Sequence, residues 1–293
     1  MKSLSYYLKA AMIHTGCLWP DELYVRCFFR LSTGKWPNLK SPKGFMEKIQ
    51  WLKLHDGREE MVRLVDKIEA KVVVKQLIGD RYIIPNLNVY NKPSEIEWEK
   101  LPNQFVIKCT HDSGGVVVCR DKKALDVKSA IKKINSRFYR NYYWPTREYP
   151  YKHIKPRVLV EQFMQSSDTN AEDLADYKFY CFNGVPRFCQ VIKNRSKGET
   201  IDFFDMNWNH QEFRGLTPGV SNSSIEIEKP VCFAEMQSIA AKLAQDYKFV
   251  RIDLYEINGH VYFGEMTFYP ASGWGVFSPE KYDIILGDMI DVK

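Results

Sequence analysis

The sequence predicts an α+β fold, with mostly antiparallel sheets and helices packed on them. The first observation is a pair of hairpins with Asn-Gly turns: strand-like residues 177–182 and 186–192 flank Asn183-Gly184, and residues 249–256 and 260–268 flank Asn258-Gly259. The second is an amphipathic helix pattern at residues 233–247. Strands joined by tight turns next to separate helices are typical of α+β proteins.

Composition places the chain among ordinary globular proteins. It has 293 residues, of which 45% are apolar and 27% charged, and this excludes disordered, collagenous and low-complexity classes. The net charge of +6 suits an anionic substrate, but it is too small to indicate nucleic acid, and we expect no nucleic-acid partner. Seven cysteines without a CxxC pair predict reduced core residues.

Targeting signals are not evident in the sequence. No apolar run approaches the roughly 20 residues that span a bilayer. Residues 1–19 lack the apolar core of a signal peptide, because Lys9 and His14 interrupt it, and a short amphipathic helix packed on the domain is expected there. We therefore expect a cytoplasmic protein. Its chemistry, set out below, would also allow peripheral contact with membrane-bound precursors at the inner face of the cytoplasmic membrane.

Helix signals dominate the first part of the chain. Ser41-Pro42 predicts an N-cap followed by proline at the first helical position. Asp66 and Glu69 form an Asp-x-x-Glu capping box for a second helix, which Gly79 would end. A connection rich in Pro and Asn follows up to about residue 102.

Strand patterns begin near residue 105. Short β runs are predicted at residues 105–108, 116–119 and 158–163, with a basic helix at 122–140 and a surface loop at 139–151. The predicted division is a helical region at 1–85, a region at 86–165 and a region at 166–293.

The last hairpin carries a polar cluster. A two-residue turn at Asn258-Gly259 would mix polar and apolar side chains, whereas a three-residue loop pairing Glu256 with His260 would separate them, so we predict the loop. One face would then carry the apolar residues, and the other would gather the polar ones. The predicted apolar face comprises Val250, Ile252, Leu254, Tyr262, Met266 and Phe268, and the polar face Arg251, Asp253, Glu265 and Thr267.

Two interpretations of this polar face remain open. Charged side chains on neighbouring strands are commonly a solvated ion pair. Two carboxylates on one face are also the hard oxygen ligands that Mg²⁺ takes, with phosphate and water filling the remaining positions.

The glycine loop at residues 110–115 is a second candidate. Ser113, Gly114 and Gly115 would expose backbone N–H groups to phosphate oxygens, and Lys108 in the preceding strand would add a positive charge. An ordinary hairpin loop is the alternative. The loop is not a Walker A motif, because no Gly-Lys-Ser/Thr follows and no helix opens there. Glu161 and Lys178 each interrupt an apolar strand.

These pieces, in this order, resemble the ATP-grasp superfamily, and more closely its TupA-like (teichuronopeptide-type) branch found in bacterial polysaccharide clusters. The resemblance covers roughly residues 20–280. The Arg-x-Asp…Gly-Glu-x-Thr element and the Asp-Tyr-Lys…Phe-Asn-Gly element are specific in combination. The residues that carry it are Asp66, Lys67, Phe105, Lys108, His111, Ser113, Gly114, Glu161, Phe163, Asp176, Lys178, Gly184, Arg251, Asp253, Glu265 and Thr267.

The resemblance implies an ATP-grasp fold with ATP held between two subdomains, a lid and ATP-binding part at 86–165 and a catalytic part at 166–293. Lys178 and Arg251 would be catalytic, with Lys178 facing the transferred phosphate. Asp253, Glu265 and Thr267 would hold Mg²⁺. The nucleotide would be bound by Lys67, Lys108, His111, Ser113, Gly114, Gly115, Glu161 and Phe163, with Ser113, Gly114 and Gly115 as the lid and Glu161 and its neighbours at the adenine or ribose.

Two residues depart from the family pattern. Thr267 stands where many ATP-grasp enzymes have Asn, and a hydroxyl is a weaker metal ligand. Asp112 stands where glycine is expected before the Ser-Gly pair, and an acid beside a triphosphate is repulsive unless it turns away.

The implied chemistry is amide formation. ATP would phosphorylate a carboxylate to an acyl phosphate, and a small amine would displace the phosphate. The expected substrates are a sugar acid, such as a uronic acid of a polysaccharide precursor, and a small amine. A glycosyltransferase is the runner-up, although no Asp-x-Asp triplet occurs. A sugar kinase and a carbohydrate-binding module are further alternatives.

Overall fold

The computed structural model describes residues 4–167 and 173–292. The helices are α1 Leu4–His14, α2 Asp21–Thr33, α3 Phe45–His55, α4 Glu59–Val65, α5 Glu69–Ile78, α6 Val127–Phe138, α7 Tyr143–Thr146, α8 Phe233–Ala244 and α9 Lys281–Gly287. The strands are β1 Asn86–Tyr90, β2 Phe105–Cys109, β3 Val116–Cys119, β4 Val158–Gln162, β5 Asp176–Phe182, β6 Val185–Lys193, β7 Thr200–Asp205, β8 His210–Gln211, β9 Arg214–Gly215, β10 Phe249–Ile257, β11 His260–Thr267 and β12 Phe277–Ser278.

The chain forms two compact units. The first comprises residues 1–57, 144–148 and 166–293, and the second comprises 58–143 and 149–165. This grouping differs from the three-part sequence division, because the helical region predicted at 1–85 is shared between the units. Composition does not show the split: both sides of residue 57 read as helical, and only packing separates them.

Unit 1 is built on an antiparallel sheet of six strands in the order β11-β10-β5-β6-β7-β8. The β5–β6 hairpin turns at Asn183-Gly184, whose φ angles of 49° and 79° give the turn expected for an Asn-Gly pair. Phe45 of α3 packs against this sheet, with ring centroids 4.9 Å from Phe249 and 6.4 Å from Tyr180. This packing explains why residues 1–57 belong to unit 1.

Unit 2 holds a four-stranded antiparallel sheet in the order β1-β4-β2-β3. Alternate residues of β2, among them Phe105 and Ile107, are fully buried, and in β4 the first four residues, including Val158 and Val160, are buried in succession. The named residues pack against Ile134 of α6. The mostly antiparallel α+β architecture predicted from the sequence is thus confirmed.

Only half of the capping box predicted for α5 forms, because the helix begins at Glu69 and the Glu69 carboxylate pairs with Arg157 rather than with the Asp66 N–H. The Asp66 carboxylate accepts hydrogen bonds from the backbone N–H groups of Ile68 and Glu69 at 2.8 and 3.2 Å, and Gly79 ends the helix with φ 105°. The start of α3 at Ser41-Pro42 is wrong, because the helix begins at Phe45 after Gly44.

The start of α3 is fixed by two acidic side chains. Glu47 accepts from the N–H groups of Lys43 and Gly44, and Asp283 from that of Met46 at 3.0 Å. Asp283 is 237 residues away along the chain, so local sequence could not indicate this cap.

Three further expectations are corrected. The connection before residue 102 contains β1, and the loop predicted at 139–151 contains α7 and a 3₁₀ turn at Tyr149–Lys152. All seven cysteines are free, as predicted, but Cys17 is exposed rather than part of the core. Among the described residues, no helix has the length and apolar character needed to cross a membrane.

Candidate active site

The β10–β11 hairpin brings the predicted polar cluster together, but its strand register differs from the predicted one. Ile257 pairs with His260 across a two-residue turn at Asn258-Gly259, so the predicted three-residue loop is wrong. Further along, the pairing shifts by one residue between Asp253 and Leu254, and Asp253 pairs directly with Glu265. The two carboxylates therefore share one face of the sheet, as predicted.

Gly264 is the extra residue that causes this shift. It lies between Phe263, which pairs with Leu254, and Glu265. A Cβ at Gly264 would lie 3.0 Å from both the Asp253 carbonyl oxygen and Tyr255 Cε2, so the bulge leaves no room for a side chain.

The bulge also reverses which side chains face the core near the turn. Val261 and Phe263 are buried, whereas Tyr262 is only half-buried. The prediction of Tyr262 on the apolar face is therefore wrong, because it assumed an uninterrupted alternation.

Arg251 joins the polar face into one network. Its Nε lies 2.6 Å from Asp253 Oδ1, and its Nη2 lies 2.8 Å from Asp253 Oδ2, 3.2 Å from Glu265 Oε1 and 3.0 Å from Thr267 Oγ1. The Thr267 hydroxyl donates in turn to Glu265 Oε1 at 3.1 Å. The four residues predicted to lie together are thus in direct contact.

Lys178 enters the same network from β5, where it pairs with Asp253. Its ammonium group forms ion pairs with the Asp253 and Asp176 carboxylates. Asp176 also accepts from Arg195 Nε at 2.7 Å. Asp253 is 2% exposed, whereas the Glu265 side chain keeps 47% of its exposure, so Glu265 is the carboxylate that reaches the surface.

Burial and charge act in opposite directions on these groups. Burial raises the pKa of Asp253 above its ordinary value, and the attraction of Arg251 and Lys178 offsets only part of this effect. For Arg251, burial lowers the pKa, but Asp253 and Glu265 raise it by more. Arg251 therefore stays charged beside the carboxylates.

The donor set fits Mg²⁺ by its chemistry. Asp253, Glu265 and Thr267 supply oxygen atoms, which this ion prefers, and it needs only one or two carboxylates when phosphates bind as well. In the described parts of the chain, no group of three or more His, Cys, Asp and Glu side chains could hold a metal ion on its own. A metal here would depend on phosphate oxygens for its remaining ligands.

In unit 2, Glu161 contacts two lysines, of which Lys108 was predicted to bind the nucleotide. Both carboxylate oxygens of Glu161 form ion pairs, one with Lys108 of β2 and the other with Lys71 of α5. Lys71 also donates to the Ile84 carbonyl at 2.8 Å and to Asn86 Oδ1 at 2.6 Å. The Lys108 side chain keeps 24% of its exposure, so it is the member of this triad that remains accessible.

The charges of this triad determine its protonation. Burial raises the pKa of Glu161, but the neighbouring charges of Lys108 and Lys71 lower it by more, so it stays ionised. Burial also lowers the pKa of Lys71. Sequence reasoning missed Lys71. Lys71 lies in α5, and its partner Glu161 is 90 residues away along the chain, so no local pattern indicated this contact.

The glycine loop separates into a buried part and an exposed part. Thr110, His111 and Asp112 are buried, whereas Ser113 and Gly114 are exposed. Gly114 has φ 121°, which favours glycine. Two of the three residues predicted to form a lid are therefore exposed, whereas the third, Gly115, is buried.

Side chains and backbone contacts hold the buried part of the loop in place. Lys67 Nζ donates to the Asp112 carbonyl at 2.8 Å, and His111 Nε2 donates to the Phe138 carbonyl at 2.9 Å. The Asp112 carboxylate is buried, with Oδ2 3.7 Å from Arg137 Nη1. The acid that departs from the family pattern therefore turns into the loop, away from its exposed part. Phe163 packs under Arg120, 5.2 Å from Cζ to the ring centroid.

The predicted site residues thus form two sets. Unit 1 brings together Lys178, Arg251, Asp253, Glu265 and Thr267 in one bonded network. In unit 2, Lys108 contacts Glu161, and Lys67 contacts the glycine loop. Phe163 packs against Arg120 instead.

Comparison with known proteins identifies a family. A model of the family described as TupA-like ATPgrasp matches residues 47–291. No curated protein matches the chain.

Solved structures give weaker likenesses. D-alanine–D-alanine ligase from Bacillus anthracis complexed with ATP is 14% identical, with a TM-score of 0.39, over 70% of this chain and 53% of that one. The ligase of the same name from Helicobacter pylori is 14% identical, with a TM-score of 0.42, over 84% and 69%. The ATP-grasp ligase PsnB, complexed with minimal precursor, Mg and ADP, is 10% identical, with a TM-score of 0.39, over 92% and 67%. The chain spans only about half the length of the first of these.

Proposed function

Because the chain belongs to the TupA-like ATP-grasp family, we propose that it is an ATP- and Mg²⁺-dependent carboxylate–amine ligase. The acid would be a uronic or similar acid of a bacterial surface polysaccharide or its precursor, and the amine a small one. The observation that carries the proposal is the direct pairing of Asp253 with Glu265 beside Arg251 and Lys178. One face of one sheet then supplies both carboxylates for a metal and cations for phosphate.

The residues of unit 1 would act on the transferring phosphate. Bound Mg²⁺ would supply charge neutralisation to the phosphate oxygens. Asp253, Glu265 and Thr267 would hold it, while Arg251 fixes the orientation of both carboxylates. Lys178 would stabilise charge on the phosphate as the substrate carboxylate attacks it.

The residues of unit 2 would bind the nucleotide. Lys108 keeps part of its surface while Glu161 fixes its position, so its ammonium group is preorganised for a phosphate oxygen. Glu161 already binds two lysines, so we propose that it orients Lys108, in addition to the adenine or ribose contact expected from the resemblance. The exposed Ser113 and Gly114 would close over the phosphates.

The test is trapping with hydroxylamine, a strong nucleophile that converts an acyl phosphate to a hydroxamate. The protein is incubated with ATP, Mg²⁺ and each member of a uronic acid panel. We expect ADP, phosphate and hydroxamate in equal amounts with at least one acid. We expect Glu265→Gln to abolish trapping, while Glu226→Gln, which changes an exposed acid elsewhere in unit 1, preserves it.

The alternatives predict different products. A glycosyltransferase would consume a nucleotide sugar without ATP. A sugar kinase would release ADP and phosphorylate a hydroxyl, without hydroxamate. Either result would replace the ligase proposal.

A further inference from the structure

Glu148 differs from the other buried acids of the described chain. Seven Asp and Glu side chains are buried, and six of them contact a basic side chain. Those six pairs are Asp66 with Arg157, Asp112 with Arg137, Glu161 with Lys71 and Lys108, Asp176 with Arg195, Asp202 with His210, and Asp253 with Arg251. Glu148 forms no ion pair with any described residue. A buried carboxylate without an ion-pair partner is costly, so Glu148 is a candidate for binding a cationic ligand.

The cations nearest to Glu148 are engaged elsewhere. Lys53 Nζ donates to the backbone carbonyls of Thr146 and Ser272, both at 2.8 Å, and lies 3.8 Å from the centroid of the Trp274 ring. Arg147 pairs with Asp21 at 2.8 Å. The Glu148 carboxylate instead accepts a short hydrogen bond, 2.6 Å, from the Ser272 hydroxyl.

The backbone around Ser272 is strained. Ala271, Ser272 and Gly273 have φ angles of 49°, 52° and 66°, and the first two are not glycine. Residues other than glycine seldom adopt such conformations, and these cluster at functional sites. Gln50 Nε2 donates to the Ser272 carbonyl at 3.1 Å, which helps to hold this conformation. The strained turn presents the Ser272 hydroxyl to Glu148.

The pair belongs to the same unit as the polar network. Ser272 follows Thr267 by five residues. Burial raises the pKa of Glu148 to about 7. The Ser272 hydrogen bond and the charge of Lys53 lower this pKa, Glu265 raises it, and Arg251 lowers it. Glu265 and Arg251 of the polar network therefore act electrostatically on Glu148. Glu148 and Ser272 keep 7% and 8% of their exposure, so neither is completely sealed from solvent.

We propose that Glu148 and Ser272 bind the charged amino group of the amine substrate. This inference rests on the proposed function and narrows its second substrate to amines that arrive as ammonium ions. The carboxylate would supply the negative charge that an ammonium ion requires, and the Ser272 hydroxyl would hold that carboxylate in position.

The proposal also accounts for the proton that the amine must lose. The ammonium ion gives one proton to the Glu148 carboxylate, which leaves a neutral amine and a carboxylic acid. The nitrogen lone pair then attacks the acyl carbon of the acyl phosphate. The C–N bond forms, the bond from carbon to the phosphate oxygen breaks, and hydrogen phosphate leaves with the second proton of nitrogen. Atoms and charge balance without another reactant.

The experiment compares two nucleophiles on one acyl phosphate. Hydroxylamine is largely uncharged near about pH 8, whereas methylamine is an ammonium ion. With the acid found by trapping, kcat/KM is measured for both nucleophiles in the wild type, Glu148→Gln, Glu148→Asp and Ser272→Ala. We expect Glu148→Gln to lower the ratio of methylamine to hydroxylamine reactivity at least about 30-fold, mainly through a higher KM for methylamine.

The variants separate recognition from structural damage. Glu148→Asp should restore part of the ratio, Ser272→Ala should lower it more mildly, and Glu226→Gln should leave it unchanged. An equal loss with both nucleophiles, or an unchanged ratio, would overturn the amine site while leaving the ligase proposal standing. A wild type that forms no hydroxamate with any acid would instead remove the ligase proposal, and the amine site with it. Should Glu148→Gln fail to fold, Ser272→Ala and Glu148→Asp carry the same comparison.

Discussion

Single residues in the polar network of unit 1 have unequal roles. Thr267 accepts from Arg251 and donates to Glu265, so its hydroxyl links the two charged groups. Glu265 is the only one of the two paired carboxylates with a largely exposed side chain. We therefore expect substitution of Glu265 to affect the reaction itself, and substitution of Thr267 to affect mainly the positions of Arg251 and Glu265.

We expect Thr267→Val to be milder than Glu265→Gln. Thr267→Val removes the two hydrogen bonds that the hydroxyl forms with Arg251 and Glu265, each contributing about 0.5–3 kcal/mol to stability. Both carboxylates stay in place. Glu265→Gln removes a charge that would neutralise Mg²⁺ and phosphate. The measurement is kcat for ATP-dependent hydroxamate formation. Equal inactivation by both changes would show that Thr267 itself binds the metal or the substrate.

Ionisation of Glu148 should make the free energy of unfolding depend on pH. Its pKa in the folded protein, about 7, lies above the ordinary 4.5, so the folded state binds the proton more tightly than the unfolded state. Stability should therefore fall as pH rises from about 4.5 through about 7, and stay level above that. The free energy of unfolding is measured in urea for the wild type and Glu148→Gln at about pH 5 and about pH 8. Between these pH values, the wild type should lose more of this free energy than the variant, by on the order of 2–4 kcal/mol. The same pH dependence in both proteins would mean that the Glu148 carboxylate is not destabilised by burial.

At the scale of elements, the β10–β11 hairpin shows what sequence can and cannot predict. Alternating side chains and the Asn-Gly turn predicted two strands and one shared polar face, and both are confirmed. The register was wrong near the turn because a bulge at Gly264 compensates for the shorter loop. Glycine inside a strand is a signal for a bulge, and it was available in the sequence.

Gly264→Ala tests whether this bulge positions the carboxylates. The new Cβ would lie 3.0 Å from the Asp253 carbonyl oxygen, so the strand must shift. We expect a loss of about 1–3 kcal/mol in the free energy of unfolding and a larger loss of hydroxamate formation than stability alone explains. Gly259→Ala is the matched control, because Gly259 in the same hairpin has φ 73° but no atom within 4 Å of a new Cβ. Similar loss of activity in both variants would assign the effect to the hairpin's stability rather than to the bulge.

Other elements depend on partners distant in sequence. The α3 cap by Asp283, the pairing of Lys71 with Glu161 and the bond from Ser272 to Glu148 join residues 237, 90 and 124 positions apart. Periodicity and turn chemistry are local signals, so they predicted the helices and strands but not these contacts. Lys108 and Arg251 were singled out from local patterns, as a cation before the glycine loop and as a member of the polar face, and the family resemblance added their expected roles.

On the scale of the whole molecule, ligand binding should stabilise the native state. If ATP and Mg²⁺ bind only the folded protein, they stabilise it by about 2–4 kcal/mol at saturating concentration. Lys108→Ala should remove most of this shift in thermal unfolding while leaving the protein without ATP near normal. Lys132→Ala, an exposed lysine of α6 in the same unit, is the matched control and should keep the shift. No shift with any nucleotide would contradict ATP binding.

The division into units was the least predictable feature. Composition suggested three consecutive regions, whereas unit 1 is assembled from three separate segments of the chain. The short segment 144–148, which supplies Glu148, belongs to unit 1 although both flanking stretches belong to unit 2. Such insertion follows from tertiary packing, and no local pattern in five residues could indicate it.

The central claim is that ATP activates a carboxylate by phosphorylating it, and the most direct measurement follows an oxygen atom. A uronic acid identified by trapping is labelled with heavy oxygen in its carboxylate and incubated with ATP, Mg²⁺ and an amine. Attack by the carboxylate on the γ-phosphate carries one labelled oxygen into the acyl phosphate, and displacement by the amine leaves that oxygen in the released phosphate. We predict one labelled oxygen per phosphate by mass spectrometry, in amounts equal to the amide formed. Phosphate without label, alongside ADP and amide, would contradict the acyl-phosphate route.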